Sequence, residues 1–127
     1  MSTTDIGRLG EKLAAKYLKK NKYKILAANQ HQSHNELDLI VSDKQYLVFV
    51  EVKTRSVDED LYSAYGTPAS AVTYGKQRRT IQAAQAYLAA HPTKKQPRMD
   101  VVEVYLSKQT HKLLKIHHIP NAFGMKS

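Results

Sequence analysis

The pattern of apolar and polar residues begins with a predicted amphipathic helix over residues 5–20. Four apolar residues recur at helical spacing: Ile6, Leu9, Leu13 and Tyr17. Four basic residues share the opposite face: Arg8, Lys12, Lys16 and Lys19. On a helical wheel Glu11 lies about 20° from Leu18, which places it at the boundary of the apolar stripe. The helix is expected to end at Asn21.

A β-hairpin is the next predicted unit. Residues 23–28 predict a short strand, and the polar residues 29–35 predict a connection. Residues 36–42 alternate between apolar and polar side chains, as a half-buried strand does. The alternation assigns three side chains to one face: Glu36, Asp38 and Ile40. It assigns three others to the opposite face: Leu37, Leu39 and Val41. Residues 43–45 predict a turn, and residues 46–53, rich in β-branched and aromatic residues, predict a second and more buried strand.

The second half of the chain completes an α/β pattern. Residues 54–65 are charged and irregular and predict a loop. A helix is expected from 66 to about 90, with an interruption near 73–75, and two further strands over 98–106 and 112–119. The element order α-β-β-β-α-β-β indicates a central mixed sheet flanked by helices. We expect one domain over residues 1–127, with a core of about 5–119 and a frayed tail over 120–127.

Composition and charge narrow the function classes. The formal net charge of +9 favours a polyanionic partner, nucleic acid before an anionic membrane surface, although solubility alone could account for it. The absence of cysteine excludes a disulfide framework and a cysteine zinc site. No apolar run suits a signal peptide or a membrane span. We therefore expect a cytoplasmic protein without a membrane partner.

Four charged residues are predicted to meet at one end of the hairpin. Glu51 and Lys53 are two residues apart on one strand, and Glu36 and Asp38 share a face of its neighbour. Carboxylates gathered among apolar side chains repel one another, and a divalent cation would relieve that repulsion. Oxygen ligands without cysteine favour Mg²⁺ or Mn²⁺. A lysine beside such an ion could orient the attacking water or stabilise charge on a phosphoryl oxygen, as phosphodiester hydrolysis requires.

The same residues also fit a surface hairpin with cross-strand ion pairs. Two features favour a functional site. Glu51 and Lys53 interrupt a strongly apolar strand, where charged side chains are costly unless they are used. The positive charge of the whole chain also suits a nucleic-acid substrate.

At these residues the chain resembles the PD-(D/E)xK nuclease superfamily, with Asp38 as the first acid and Glu51-Val52-Lys53 as the final element. More narrowly it resembles the YraN-type family of small bacterial endonuclease-like proteins. The matching stretches run in order through residues 5–106. They are Gly7-Arg8-Leu9-Gly10-Glu11, Asn29, Glu36-Leu37-Asp38-Leu39-Ile40, Phe49-Val50-Glu51-Val52-Lys53-Thr54-Arg55, Lys76-Gln77-Arg78-Arg79 and Asp100-Val101-Val102.

The resemblance implies a restriction-endonuclease-like fold and a metal-dependent DNA endonuclease. It implies that Asp38 and Glu51 bind the metal, with the Val52 carbonyl as a further ligand, and that Lys53 is the catalytic lysine. Glu11 matches a helix-borne acid of the related Holliday junction resolvases, although a surface ion pair is its ordinary alternative. We expect Glu11 and Glu36 to assist. The resolvase likeness further implies branched DNA as substrate and, since a junction needs two active sites, a homodimer.

One residue departs from the family pattern, and several others carry weaker signals. Asn35 replaces the usual glycine before the Glu-x-Asp stretch, and asparagine also tolerates a left-handed backbone. Four basic residues are predicted DNA contacts: Arg55, Lys76, Arg78 and Arg79. His117 and His118 alternate faces on a strand and are interpreted as structural. The alternative functions are a non-catalytic nucleic-acid-binding protein that keeps the nuclease fold, and a metal-bound regulatory or scaffold protein.

Overall fold

The computed structural model describes residues 1–32, 35–60 and 72–124. These residues form a mixed β-sheet with one helix on each face. Along these residues the elements are α1 (Thr3–Lys20), β1 (Lys24–Gln32), β2 (Asn35–Ser42), β3 (Tyr46–Val57), α2 (Tyr74–Ala90), β4 (Gln96–Ser107) and β5 (Leu113–Phe123). The strands lie in the order β1-β2-β3-β4-β5, with β3 and β4 parallel and the other pairs antiparallel. The predicted fold class and element order are confirmed.

Two apolar clusters cover the two faces of the sheet. On the first face Ala14 and Leu18 of α1 pack against valines and leucines of the central strands. On the second face Ala83, Ala84 and Tyr87 of α2 pack against the other side of the same strands. Along β3 the even-numbered apolar residues belong to the α1 face and the odd-numbered ones to the α2 face. This alternation defines the face on which each charged side chain of β3 lies.

Helix α1 follows the predicted pattern with a small rotation. Its most buried residues are Gly10, Ala14 and Leu18, and the predicted apolar residues flank this stripe. The four basic residues of the opposite face are exposed, and Glu11 is half-buried at the boundary as expected. A Ser2–Asp5 capping box starts the helix, and Asn21 is its C-cap, as predicted.

Three strands continue about four residues past the C-terminal ends that the sequence pattern predicts. β1 continues to Gln32, through residues expected to form a connection, because Gln30 still pairs with Leu37 of β2. β3 continues to Val57, through the start of the expected loop, because Thr54 and the residues after it pair with β4. β5 continues to Phe123, so the residues up to that point are not frayed. Backbone pairing extends these strands although their side chains are polar.

Helix α2 starts later than the sequence pattern predicts. Thr73 is the N-cap, and its side chain accepts a hydrogen bond from the Lys76 N–H, so the expected helix does not include residues 72 and 73. The predicted interruption near 73–75 is instead the start of this helix. Its expected beginning at 66 lies outside the described residues. Neither described helix is long and apolar enough to cross a membrane.

A buried ionic cluster around Asp100 ties β4 to β5 on the α1 face. The Asp100 carboxylate accepts two hydrogen bonds from Arg98 at 2.8 Å and the Asn121 N–H at 2.9 Å. It also contacts His118 Nε2 at 2.7 Å. The guanidinium of Arg98 also donates to the Tyr23 hydroxyl, which links the cluster to the end of α1. Asp100 and His118 therefore serve the fold, as expected for His118, and the Asn121 contact explains why β5 extends past residue 119.

Candidate metal centre between two diverging strands

The candidate centre lies where β2 and β3 separate. Their backbone pairing ends at Leu39 and Val50. Beyond this pair the Val52 N–H donates a hydrogen bond to Asp38 Oδ2 at 2.9 Å. The Asp38 carboxylate thus takes the place of a backbone carbonyl between the two strands. This arrangement gives the Asp38 side chain a fixed position at the level of the sheet, between its two faces.

The strict alternation predicted for β2 is wrong at this point. Leu37 and Ile40 pack in the cluster on the α2 face, whereas Leu39 and Val41 pack in the cluster on the α1 face. Leu37 and Leu39 are two residues apart, so a regular strand would place them on one face. The irregularity coincides with Asp38, and it explains how this residue can serve groups on both sides of the sheet.

Three carboxylates meet on the α1 side. Glu11 of α1 and Glu36 and Asp38 of β2 each offer one oxygen, and these oxygens all lie within 4.8 Å of one another. Burial raises the pKa of Glu11, and the neighbouring Asp38 and Glu36 carboxylates raise it further. Glu11 reaches this position because α1 approaches β3 closely at Gly10, where a Cβ atom would collide with the Thr54 side chain.

Asn29 bridges two of these acids. With its amide nitrogen turned toward them, an orientation assigned from these neighbours, it donates to Glu11 Oε1 and to Glu36 Oε1, both at 3.1 Å. Its backbone is left-handed, with φ of 51°, a conformation that asparagine tolerates better than most residues. The amide offsets part of the repulsion between the two carboxylates in the absence of a cation.

The fourth acid lies on the α2 side. Glu51 is 5% exposed, and burial followed by the Asp38 charge raises the pKa of Glu51 to about 7. The ammonium group of Lys76, whose Nζ is 3.8 Å from Glu51 Oε1, and that of Lys53 oppose this rise. Lys53 is two residues further along β3 and lies on the same face as Glu51. Asp38 therefore joins a carboxylate group on one face of the sheet to a carboxylate–lysine group on the other.

A comparison with known proteins identifies the family of the chain. A family model described as "Uncharacterised protein family UPF0102" matches residues 10–104. The chain belongs to UPF0102. This finding confirms the resemblance to the YraN-type family.

Relatives in this family match most of the chain. A UPF0102 protein of Caldanaerobacter subterraneus subsp. tengcongensis is 44% identical over 119 residues, which are 93% of each chain. A UPF0102 protein of Chlorobium chlorochromatii is 43% identical over 128 residues, which cover 98% of this chain and 95% of the relative. The names of these two relatives state no activity, so the function of this UPF0102 chain is argued from its own site.

The remaining predicted site residues of this UPF0102 chain lie in different surroundings. Lys76 lies beside Glu51 in the candidate centre, and its contact with DNA stays a prediction. Arg78 and Arg79 are exposed, and Arg78 donates to the Tyr74 hydroxyl at 3.3 Å. Arg55 is paired with Glu103, where its Nε lies 3.1 Å from Oε2. For Val52 the structure shows the N–H bound to Asp38, and the metal-binding role of its carbonyl stays a prediction.

The sequence pattern gave Asn29 no role, and it suggested Asn35 as the residue with a left-handed backbone. Asn35 is instead the first residue of β2 and is not among the described residues with positive φ, whereas Asn29 is. An asparagine inside a short polar run was the available signal, and its contacts with Glu11 and Glu36 became visible only in the folded chain.

The residues of the UPF0102 centre fit a hard divalent cation. Glu11, Glu36, Asp38 and Glu51 offer only oxygen ligands. The pKa values of Glu11 and Glu51 are raised, first by burial and then by neighbouring carboxylates, and a cation would favour their charged forms. A cavity of about 440 Å³ opens beside Glu11 and Glu36, so a solute can reach the acids. It is lined by Thr4, Gly7, Arg8, Glu11, Asn29 and Glu36.

Proposed function

We propose that this UPF0102 protein is a Mg²⁺- or Mn²⁺-dependent endonuclease that hydrolyses phosphodiester bonds in DNA. The observation that carries the proposal is the position of Asp38 between the two strands, with Glu11 and Glu36 on one side and Glu51 on the other. Such a set of carboxylates is costly without a cation and well suited to one.

Each residue of the centre has a distinct role in this proposal. Asp38 and Glu51 would hold the cation, and Glu11 and Glu36 would assist with further carboxylate oxygens. The cation would supply Lewis-acid polarisation of the scissile phosphate and positive charge for the transition state. Lys53 orients the attacking water and stabilises charge on a phosphoryl oxygen. Lys76, which contacts Glu51, adds a second positive charge on the same face.

The charge distribution of the chain supports a DNA substrate. Although four carboxylates gather at the centre, the whole chain carries a net charge of +9. Outside the centre, basic side chains therefore far outnumber acidic ones, and such an excess of positive charge attracts the phosphate backbone of DNA. Exposed Arg78 and Arg79 at the start of α2 are part of this excess.

The test is cleavage of a panel of labelled DNA duplexes, flaps, four-way junctions and single strands with Mn²⁺, Mg²⁺ or EDTA. We expect cleavage that requires the cation and falls at least about 100-fold in Asp38→Asn and in Lys53→Ala, the order of magnitude of losing one stabilising group. Glu59→Gln and Lys19→Ala, which change exposed charges outside the centre, are the matched controls.

Branched DNA is the substrate class that the resolvase likeness implies, and it requires a homodimer. Paired cuts in a four-way junction together with a dimer in light scattering would support it. A monomer that cuts flaps or nicks duplexes would restrict the proposal to those substrates. If no substrate is cut under any cation, the enzyme proposal fails. DNA binding that persists then supports the non-catalytic alternative, and Mn²⁺ binding without DNA binding supports a regulatory or scaffold protein.

A further inference from the structure

The sheet face that carries Glu51 and Lys53 continues onto β4, where its side chains are buried, and onto β5. Lys53 pairs in register with Glu103 of β4, and Glu103 pairs with His117 of β5. Two residues further along β3, Arg55 is in register with Tyr105, and Tyr105 with Lys115. Neighbouring strands are about 4.8 Å apart, so each row spans about 10 Å across three strands.

The cationic members of both rows lie on one side of the sheet. In β3, Val50 and Val52 pack on the α1 face, which leaves Lys53 and Arg55 on the other. In β5, Ile116 packs on the α1 face, which leaves Lys115 and His117 on the other. We call the four residues Lys53, Arg55, Lys115 and His117 the basic track.

Glu103 lies at the middle of the basic track and is fully buried. Its Oε2 is 3.1 Å from Arg55 Nε, and its Oε1 is 3.4 Å from His117 Nδ1. A buried carboxylate is costly unless its partners have a fixed geometry around it. Here both partners keep an outward side, because the side chains of Arg55 and His117 are 36% and 33% exposed. Glu103 thus holds one edge of the Arg55 guanidinium and of the His117 ring and leaves the other edge of each for a ligand.

We propose that the basic track binds the phosphodiester backbone of the DNA strand beside the cleavage site, and that Glu103 is a positioning residue for Arg55 and His117. This inference rests on the proposed function, because the track starts at Lys53. The strand would leave the centre over the partly exposed side chains of Arg55 and His117, which flank the buried Glu103, toward β5. The terminal nitrogens of Arg55 are free of Glu103 and suit a phosphate, to which guanidinium groups bind in a planar, two-pronged way. The partly exposed His117 ring would offer its Nε2 atom, and exposed Lys115 would supply a charge at the sheet edge.

The test measures DNA binding by fluorescence anisotropy in EDTA, where no cleavage takes place, at several salt concentrations. We expect Arg55→Ala, His117→Ala and Lys115→Ala each to raise Kd about 3- to 10-fold. We also expect the salt dependence of log Kd to fall by about one phosphate contact per variant. Lys19→Ala, an exposed cation at the end of α1, is the matched control and should leave Kd and the salt dependence unchanged.

The Glu103→Gln variant tests the positioning role, because the direction in which it changes DNA affinity depends on that role. If Glu103 only added negative charge, its removal would tighten DNA binding. We expect it instead to weaken binding several-fold in the otherwise unchanged chain. We expect no weakening in the Arg55→Ala/His117→Ala background, where no partner is left to position. If Glu103→Gln fails to fold, the three surface variants still decide whether the track exists.

The outcomes separate this inference from the proposed nuclease function. A wild-type protein that cuts DNA with Mn²⁺, but whose affinity is unchanged in all three surface variants, overturns the track and leaves the nuclease intact. A wild-type protein that binds through the track but never cuts overturns the nuclease and leaves the track intact. Tighter binding by Glu103→Gln overturns the positioning role alone.

Discussion

The carboxyl group of Glu51 couples the candidate centre to pH. Burial and the Asp38 charge raise the pKa of Glu51 to about 7, against an ordinary value of 4.5. The unfolded chain therefore loses this proton at a lower pH than the folded chain does. Between these two values the folded state binds more protons, so the free energy of unfolding falls as pH rises. Above about pH 7 it falls no further, because Glu51 is then ionised in both states. The difference corresponds to roughly 3 kcal/mol.

The first prediction follows from this fall in the free energy of unfolding with rising pH. In EDTA, Glu51→Gln should be more stable than the wild type at pH 8, by up to about 3 kcal/mol, because glutamine carries no charge to bury. The difference should shrink toward zero near pH 5, where the wild-type carboxyl is protonated in the folded state. Urea unfolding at a series of pH values measures it. Glu59→Gln, which alters an exposed carboxylate, should show no such trend, and a pH-independent difference for Glu51→Gln would contradict the assigned pKa.

The second prediction concerns the backbone of Asn29. Its φ of 51° is costly for alanine and free for glycine, and either replacement loses the amide contacts with Glu11 and Glu36. Asn29→Ala should therefore be less stable than Asn29→Gly by about 1 kcal/mol in urea unfolding. At the neighbouring Ala28, which has an ordinary strand backbone, the order should reverse, and Ala28→Gly should lose about 0.5–1 kcal/mol. Equal stabilities of the two Asn29 variants would refute the left-handed assignment.

At the scale of single residues, the sequence predicted the acids better than their partners. The two-residue spacing of Glu51 and Lys53 in an apolar strand marks them as unusual in the sequence alone. The roles of Asn29, Lys76 and Glu103 depend instead on contacts with residues of other helices and strands, far away along the chain. Spacing within one element carries no information about such contacts, so only the fold could reveal them.

The approach of α1 to β3 sets the position of Glu11, and two glycines of the same helix allow a matched test. A Cβ at Gly10 would collide with Thr54, whereas a Cβ at Gly7 would meet nothing within 4 Å. Gly10 therefore permits close packing, and Gly7 does not contribute to packing in this way. The helix can place the Glu11 carboxylate beside β2 because the preceding residue, Gly10, has no side chain to collide with β3.

The third prediction contrasts these two positions. Gly10→Ala should destabilise the protein by about 1–3 kcal/mol, because α1 must move away from β3. It should also weaken Mn²⁺ binding, since Glu11 moves with the helix. Gly7→Ala should instead stabilise by up to about 1 kcal/mol, the gain in helix propensity. Urea unfolding and calorimetric Mn²⁺ titration measure both effects, and similar behaviour of the two variants would rule out the close approach at Gly10.

At the scale of elements, apolar periodicity predicted which segments are helices and strands and missed where the strands end. Thr54 begins a charged stretch, yet it remains in β3 because its backbone pairs with β4. Asn121 remains in β5 because its N–H is held by Asp100, on another strand. The end of a strand is set by pairing with a neighbour, and side-chain pattern records burial rather than pairing.

At the scale of the whole molecule, the acids of the candidate centre lie on three different elements. Glu11 lies on α1, Glu36 and Asp38 on β2, and Glu51 on β3. Without a cation, repulsion among these carboxylates opposes the packing of those elements against one another. A bound cation would reverse this effect and hold the same elements together. Stability of the entire fold should therefore respond to divalent metal, although the centre involves a small part of the chain.

The last prediction is that Mn²⁺ stabilises the whole protein and does so more strongly at higher pH. At a free concentration of about 100 times Kd, binding adds about 2.7 kcal/mol, which raises Tm by about 10 °C for a chain of this size. Because Glu51 must lose its proton to bind the ion, the rise in Tm should be larger at pH 8 than at pH 6.

Asp38→Asn should abolish the rise, whereas Lys53→Ala should keep it while losing cleavage, since lysine is not a metal ligand. Thermal unfolding at matched ionic strength, with Mn²⁺ or EDTA, makes the comparison. An equal rise in the wild type and in Asp38→Asn would mean that the ion binds elsewhere, and a loss of the rise in Lys53→Ala would mean that Lys53 supports the metal centre rather than the chemistry.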